Sequence, residues 1–153
     1  MTTDEILYKL AARCSTSEQC LSDVEAKLKR YDLSEEERTR ILQHLVEEKY
    51  IDDKRYAEAF VRDKLNLSGW GAYKIRMGLR AKGVSKEVID EVVAPMLAAT
   101  DMTERLGEMM QRKMRSLKYT SSYDAKTKLI RFAASRGYDM EQAIECASKI
   151  VGD

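Results

Sequence analysis

Apolar residues recur every three or four positions along almost the whole chain, and only one proline, Pro95, occurs in 153 residues. Val88 and Val92 belong to one apolar stripe, and Ile41 and Leu45 belong to another. This spacing is the period of an amphipathic α-helix, and no segment alternates with period two for long enough to favour a strand. The sequence therefore predicts an all-α fold.

Start and stop signals divide the chain into helices. A Ser or Asp followed three residues later by Glu or Gln predicts a capping box, in which side chains satisfy free amides of the first helical turn. The pairs that fit are Ser15 with Glu18, Ser34 with Glu37, Asp101 with Glu104, and Asp139 with Gln142. Gly83 and Gly137 are expected to end helices, because glycine tolerates the left-handed conformation found there. We predict nine helices, near residues 3–13, 17–30, 35–49, 53–66, 71–82, 86–98, 102–116, 122–136 and 140–151.

The predicted helices repeat with a period of about 50 residues. A shift of 51 places Val24, Leu28, Ile41 and Leu45 on Ile75, Leu79, Val92 and Met96. A further shift of 54 places Ile75, Leu79, Gly83 and Val92 on Leu129, Ala133, Gly137 and Cys146. We therefore predict three tandem three-helix repeats, at residues 1–50, 51–99 and 100–153, that form an elongated array. Such an array offers one long face, so an extended partner is expected.

Charge balance and residue types argue against several classes of protein. A net charge of +1, from 27 Lys+Arg and 26 Asp+Glu, does not fit a protein that coats polyanions. The chain has no apolar run near the roughly 20 residues that span a bilayer and no basic, apolar leader, so we expect a cytoplasmic protein without a membrane partner. Three cysteines without a CxxC pair favour reduced, buried thiols. We expect no metal, no cofactor, no small-molecule substrate and no enzyme activity, because the motifs that carry such chemistry are missing.

Residues 45–95 carry a recognisable pattern. It includes Tyr50-Ile51-Asp52-Asp53-x-Arg55-x-Ala57, Gly69-Trp70-Gly71, and Lys74-Ile75-x-x-x-Leu79-x-x-Lys82-Gly83-Val84. This pattern resembles the RecX family of recombination regulators, whose architecture is also three tandem three-helix repeats. The resemblance assigns a structural family motif to Asp52, Asp53, Arg55, Gly71 and Gly83.

The resemblance also implies a partner and an activity. The partner is RecA, the recombinase that forms nucleoprotein filaments on DNA. A protein of this family is expected to bind the RecA filament and to inhibit its ATPase, strand-exchange and coprotease activities. The resemblance therefore implies a role in homologous recombination, DNA repair and the SOS response.

Basic residues concentrate beside the motif. Between residues 62 and 82 the chain has six basic side chains and a single acidic one, Asp63. We predict partner contacts at Arg62, Lys64, Trp70, Lys74, Arg76, Arg80 and Lys82. An ordinary solvated helix face is the alternative interpretation. Trp70, between two glycines, is expected either to contact a base or a partner's pocket, or to cover its own core.

A second basic stretch, residues 105–136, has nine basic side chains against two acidic ones. The side chains predicted to face DNA or the partner are Arg112, Arg115, Lys126, Lys128 and Arg131. An alternative function is therefore a helical DNA-binding module without a recombinase partner. Asp52 and Asp53 are interpreted as a cap of the fourth helix rather than as catalytic carboxylates. Four methionines, Met102, Met109, Met110 and Met114, are expected to pack the core of the third repeat.

Overall fold

The structure, a computed structural model, describes residues 1–152 and contains nine α-helices and no β-strand in that range. The helices are α1 Thr3–Thr16, α2 Leu21–Leu28, α3 Glu35–Glu47, α4 Asp53–Asp63, α5 Ala72–Ala81, α6 Lys86–Ala98, α7 Met102–Ser116, α8 Ser122–Ser135 and α9 Met140–Val151. A π-helical turn, Lys64–Ser68, continues from the end of α4. The predicted all-α class is confirmed.

The described residues form two compact units. Unit 1 comprises Met1–Phe60 and Leu79–Val92, and unit 2 comprises Val61–Gly78 and the residues from Val93 onward. The boundaries between the two units fall within α4, α5 and α6. Each unit therefore combines separate parts of the sequence that are close in space, and it is not a single sequence repeat. The predicted repeat boundaries at 50/51 and 99/100 stay a prediction.

Unit 1 has an apolar core to which α1, α2 and α3 contribute. Its buried members recur at helical spacing and are Ile6, Leu10, Cys14, Val24, Leu28, Ile41, Leu45 and Ile51. Burial of each large aliphatic side chain stabilises the fold by about 1.5–3 kcal/mol. The apolar stripe read from the sequence of α3 is therefore the face that packs inward.

Unit 2 has a second core, formed mainly by α7, α8 and α9. Its buried members are Leu106, Met110, Leu129, Ala133, Tyr138, Ala143, Cys146 and Ala147. Met102, Met109 and Met114 are partly buried against this cluster, so the prediction that the methionines pack a core is confirmed. Alanine at several core positions allows helices to approach closely.

The three cysteines are free thiols and all are buried. Cys14 lies in the core of unit 1, and Cys146 lies in the core of unit 2. Burial is the main cause that raises the pKa of both thiols above its usual value. The prediction of buried thiols without a disulfide is confirmed.

Three of the four predicted capping signals begin helices. Ser34 and Glu37 form a complete capping box at α3. The carboxylates of Asp101 and Asp139 accept backbone N–H groups in the first turns of α7 and α9. Each cap satisfies an amide that has no partner within its own helix.

The fourth signal, Ser15 with Glu18, is wrong. Ser15 lies in the last turn of α1, where its hydroxyl donates to the carbonyl oxygen of Ala11 over 3.0 Å. Helix α2 begins at Leu21 rather than near residue 17, and the N–H of Leu21 donates to the carboxylate of Asp53 over 2.9 Å. A residue 32 positions away therefore replaces the local cap.

In unit 2, the start of α5 docks on the end of α8. The N–H of Gly71 donates to the carbonyl oxygen of Arg136 over 2.7 Å. The N–H of Tyr73 donates to the carbonyl oxygen of Gly137 over 3.1 Å. The first amides of one helix thus satisfy the last carbonyls of another, and the positive end of one helix dipole meets the negative end of the other.

Two glycines permit this close approach. A Cβ on Gly71 would lie 2.7 Å from the carbonyl oxygen of Gly137, which belongs to rigid backbone. Gly137 has a φ of +93° and faces the backbone of Lys74, so a side chain there would be both strained and obstructed. The predicted helix stop at Gly137 is confirmed, and the same residue also serves the joint between α5 and α8.

We expect Gly71→Ala to lower the free energy of unfolding by about 1–3 kcal/mol, because the new methyl group must push two backbone segments apart. Urea unfolding followed by circular dichroism measures the change. Gly107→Ala is the matched control, because Gly107 lies within α7 and a Cβ there would meet only the Cys146 sulfur at 4.0 Å. The control is expected to gain about 0.5–1 kcal/mol from the higher helix propensity of alanine. Equal stability of the two variants would contradict the role given to the joint.

Candidate partner-binding surface

The residues predicted to contact a partner are divided between the two units. Those in unit 2 are Arg62 on α4, Lys64 in the π-helical turn, Trp70 in the following loop, and Lys74 and Arg76 on α5. Those in unit 1 are Arg80 and Lys82, at and just beyond the end of α5. Arg62 and Arg80 are exposed, whereas Lys64, Lys74 and Arg76 are half-buried.

Lys64, Trp70 and Lys74 form a cluster, which we call the tryptophan cluster. The Nζ atom of Lys64 lies 4.5 Å from the centroid of the Trp70 ring, and that of Lys74 lies 4.8 Å from it. Both distances allow cation–π attraction, worth about 0.5–2 kcal/mol each depending on exposure. Lys74 also donates to the carbonyl oxygen of Ser135 over 3.1 Å. One half-buried aromatic ring thereby positions two predicted contact cations.

The π-helical turn explains how Trp70 returns to Lys64. The N–H groups of Gly69 and Trp70 both donate to the carbonyl oxygen of Lys64. Gly69 has a φ of +64°, a conformation that glycine adopts without steric cost. The sequence predicted that α4 runs to residue 66, and this was wrong, because the α-helical pattern ends at Asp63.

Arg105 supports the same turn and was not among the predicted contact residues. Its guanidinium donates to the carbonyl oxygen of Leu65 over 3.1 Å and to the side-chain oxygen of Asn66 over 3.3 Å. Periodicity gives no signal for this contact, because it joins residues about 40 positions apart.

Lys82 has a partner within unit 1. Its Nζ atom lies 3.2 Å from a carboxylate oxygen of Asp23, and its carbonyl oxygen accepts a hydrogen bond from the hydroxyl of Ser22. Gly83 follows with a φ of +77°, and the N–H of Val84 donates back into the end of α5. Lys82 therefore ties the end of α5 to α2, and its predicted contact role stays a prediction.

The second basic set lies in unit 2. Arg112 and Arg115 on α7 and Arg131 on α8 are exposed, while Lys126 and Lys128 are half-buried. Lys128 is held by an ion pair of 3.1 Å with Asp124 and donates to the carbonyl oxygen of Lys118. The N–H of Thr120 and the ammonium of Lys128 hold the pKa of the Asp124 carboxyl below its usual value. The three arginines are thus the members of this set that are most accessible to a polyanion.

The acidic residues of the family motif serve helix starts in unit 1. The carboxylate of Asp52 accepts the N–H groups of Lys54 and Arg55, which confirms its interpretation as a cap of α4. Asp53 instead caps α2.

Among residues 1–152, no group of three or more His, Cys, Asp and Glu side chains is placed to hold a metal ion. None of the described helices combines the length and apolarity needed to cross a membrane.

Arg55 joins three segments of unit 1. Its Nε donates to the Glu18 carboxylate over 2.6 Å, and its terminal nitrogen donates to the carbonyl oxygens of Lys49 and Tyr50. Lys49 ends α3 in a left-handed conformation, with a φ of +60°. The hydrogen bond to Glu18 is the main cause that raises the pKa of Arg55. Arg55 of the family motif therefore holds the segment that follows α3 against the loop that precedes α2.

Two family models match the chain. One describes the second three-helix domain of RecX and matches residues 52–93. The other describes the third three-helix domain of RecX and matches residues 100–146. The first match contains the motif Asp52, Asp53 and Arg55, and the second contains the buried core residues of unit 2 from Leu106 to Cys146.

Several curated relatives have the name "Regulatory protein RecX". The protein of this name from Clostridium botulinum strain Alaska E43 is 41% identical over 113 residues, which are 72% of this chain and 51% of the relative. The chain thus spans about half the length of that relative. The one from Chlorobium phaeobacteroides strain BS1 is 31% identical over 150 residues, which are 97% of this chain and 96% of the relative.

Solved structures show the same fold. The crystal structure of RecX from Lactobacillus salivarius superposes with a TM-score of 0.81 at 20% identity, over 97% of this chain and 96% of that one. A second crystal structure, of a regulatory protein RecX, gives a TM-score of 0.79 at 22% identity, over 97% of this chain and 72% of that one.

We expect Arg55→Ala to lower the free energy of unfolding by about 1.5–3 kcal/mol, because it removes charge-assisted hydrogen bonds and leaves Glu18 without its partner. Chemical unfolding of the purified chain measures the loss. Arg55→Lys is the control, because it keeps the positive charge but lacks the planar fork that reaches both Glu18 and the two carbonyls. Full stability of Arg55→Lys would show that charge alone suffices and would contradict this geometry.

Proposed function

The chain belongs to the RecX family, and on that basis we propose that it regulates the recombinase RecA by binding the RecA nucleoprotein filament. The relatives carry the name of a regulatory protein, which supports a regulatory role for this chain. The outcome that we propose is inhibition of the ATPase, strand-exchange and coprotease activities of the filament. Such a regulator works in the cytoplasm, in homologous recombination, DNA repair and the SOS response.

The tryptophan cluster is the observation that carries this proposal. It combines an aromatic ring, typical of the centre of protein interfaces, with two ammonium groups at 4.5 and 4.8 Å from that ring. Exposed Arg62 lies on the preceding helix and adds to the positive charge of this segment. A nucleoprotein filament is rich in phosphate charge, so a positive segment of this kind favours association with it.

The proposed activity needs no reaction by this chain. Asp52 and Asp53, the carboxylate pair that most resembles an acid–base site, are both engaged in helix caps. Binding along a filament hinders the subunit motions that accompany ATP turnover, and this effect is sufficient for inhibition. We accordingly propose a binding regulator and not an enzyme.

We expect the double variant Arg76→Glu/Arg80→Glu to inhibit RecA ATPase about tenfold less potently than the wild type, because two predicted contact cations become repulsive anions. The measurement is DNA-dependent ATPase of the cognate RecA, titrated with each protein. Lys9→Glu/Arg13→Glu on α1 is the matched control, because it makes the same charge change at the same four-residue spacing on exposed positions. Thermal melting of each variant checks the fold. Equal potency of the Arg76/Arg80 variant and the wild type would remove this segment from the interface.

A DNA-binding module without a recombinase partner is the second candidate function. The exposed arginines Arg112, Arg115 and Arg131 favour it, because arginine contacts phosphate through its planar fork.

Salt separates the two functions. The logarithm of the binding constant for bare DNA falls linearly with the logarithm of the salt concentration, with a slope of about 0.9 per phosphate contact. We therefore expect that raising the salt abolishes binding to bare DNA while binding to the RecA filament persists, as measured by fluorescence anisotropy with labelled protein. Parallel loss of both interactions would favour the DNA-binding module.

A further inference from the structure

Unit 2 contains a concave pocket of about 480 Å³ whose lining includes no residue of the tryptophan cluster. One wall is the π-helical turn with Gly69, and the other walls are α7 and the end of α8. The volume lies in the range of pockets that hold small ligands, about 300–1,000 Å³. The pocket is therefore large enough for a mononucleotide.

The charge of the pocket is strongly positive. Four basic side chains line it, and Glu108 is the single carboxylate among its lining residues. Arg105 is engaged with the π-helical turn. Within residues 1–152, Arg112, Lys113 and Arg136 make no ion pair. Three cations that face one concavity without compensating carboxylates attract an anion.

Phe132 holds two of these cations in place. The Nζ atom of Lys113 lies 5.5 Å from the centroid of the Phe132 ring, and the guanidinium carbon of Arg136 lies 5.1 Å from it. Cation–π attraction at these distances limits the freedom of both long side chains. Less conformational entropy is then lost when an anion binds.

The remaining lining suits the organic part of a ligand. Leu65 and Met109 give the pocket apolar walls, and Leu67 stands at 83% exposure beside them. Glu108 can accept hydrogen bonds from hydroxyl or amino groups but would repel a bare anion. The combination of cations, one acceptor and apolar walls fits a molecule with a phosphate at one end and a sugar and base at the other.

We propose that this pocket binds a nucleoside phosphate, either free or as a unit of a single-stranded polynucleotide. Arg112, Lys113 and Arg136 bind the phosphate, and Glu108 accepts a hydrogen bond from the sugar or the base. The bound molecule is a ligand and not a substrate, so the expectation that the chain has no small-molecule substrate is unaffected. The proposal does not rest on RecA binding, because it concerns the isolated chain.

The test is isothermal titration calorimetry of the full chain with ADP, inorganic phosphate, adenosine and a ten-residue deoxythymidine oligonucleotide. We expect ADP to bind one site, and phosphate and adenosine each to bind at least about tenfold more weakly than ADP. Binding of ADP but not of the oligonucleotide identifies a free nucleotide as the ligand. Binding of the oligonucleotide but not of ADP identifies a polynucleotide. Binding of neither overturns the proposal, and so does phosphate or adenosine binding as tightly as ADP.

Variants locate the site. Arg112→Ala/Lys113→Ala is expected to weaken the binding of ADP or the oligonucleotide by at least about tenfold, a change of about 1.4 kcal/mol. The matched control is Lys29→Ala/Arg30→Ala, which removes the same charge from two adjacent exposed residues outside the lining and is expected to change affinity less than about twofold. Amide shifts in nuclear magnetic resonance spectra should concentrate at Leu67, Gly69 and Phe132. An equal loss of affinity in the two double variants, or amide shifts at residues outside the pocket, would show that binding depends on overall charge. Either result would overturn the proposed site.

Discussion

The structure of unit 2 depends on the direct pairing of the first amides of α5 with the last carbonyls of α8. Helix ends carry unsatisfied polar groups, and here two ends satisfy each other without an intervening side chain. This is possible only because Gly71 and Gly137 have no Cβ. The joint has consequences on both sides. On one side, it orients the first turn of α5, from which Lys74 reaches Trp70. On the other side, it fixes the backbone of Arg136, whose carbonyl oxygen accepts a hydrogen bond at the joint. The guanidinium of the same arginine lies over the Phe132 ring. The tryptophan cluster and the basic pocket thus both depend on one backbone contact.

The residues that identify the family and the residues proposed to bind a partner have different physical tasks. Asp52 and Asp53 satisfy amides at helix starts, Arg55 joins chain segments, and Gly83 ends a helix with a positive φ. These tasks concern the stability of the fold. The proposed contact residues Arg62 and Arg80, by contrast, are exposed and charged, and the packing of the units does not require them. A match to the motif therefore identifies the fold more directly than it identifies the interface.

Local signals in the sequence were sufficient to predict most helices, because periodicity and capping act within one or two turns. Ser34, Asp101 and Asp139 cap the helices that their spacing predicts. Prediction failed where a distant residue decides the local structure. Helix α2 starts at Leu21 because Asp53 supplies its cap, and the π-helical turn after α4 is supported by Arg105. The basic pocket could not be foreseen for the same reason, because it combines the segment after α4 with residues of α7 and α8. The excess of basic residues between positions 105 and 136 was visible in the sequence. The placement of Lys113 and Arg136 beside the Phe132 ring was not.

The buried cysteines give each unit an internal reporter. A thiol reacts as its thiolate, and burial both raises the pKa of Cys14 and Cys146 and keeps reagents away from the sulfur atoms. An alkylating reagent added to the native chain therefore modifies each residue only when the surrounding helices open. Cys20 is also a buried thiol of unit 1, so the labelling has to be resolved by residue. Because Cys14 belongs to the core of unit 1 and Cys146 to the core of unit 2, the labelling rates of these two residues report separately on the opening of each core. The wild-type chain thus carries, without any engineered probe, the means to determine whether its two cores open together or independently.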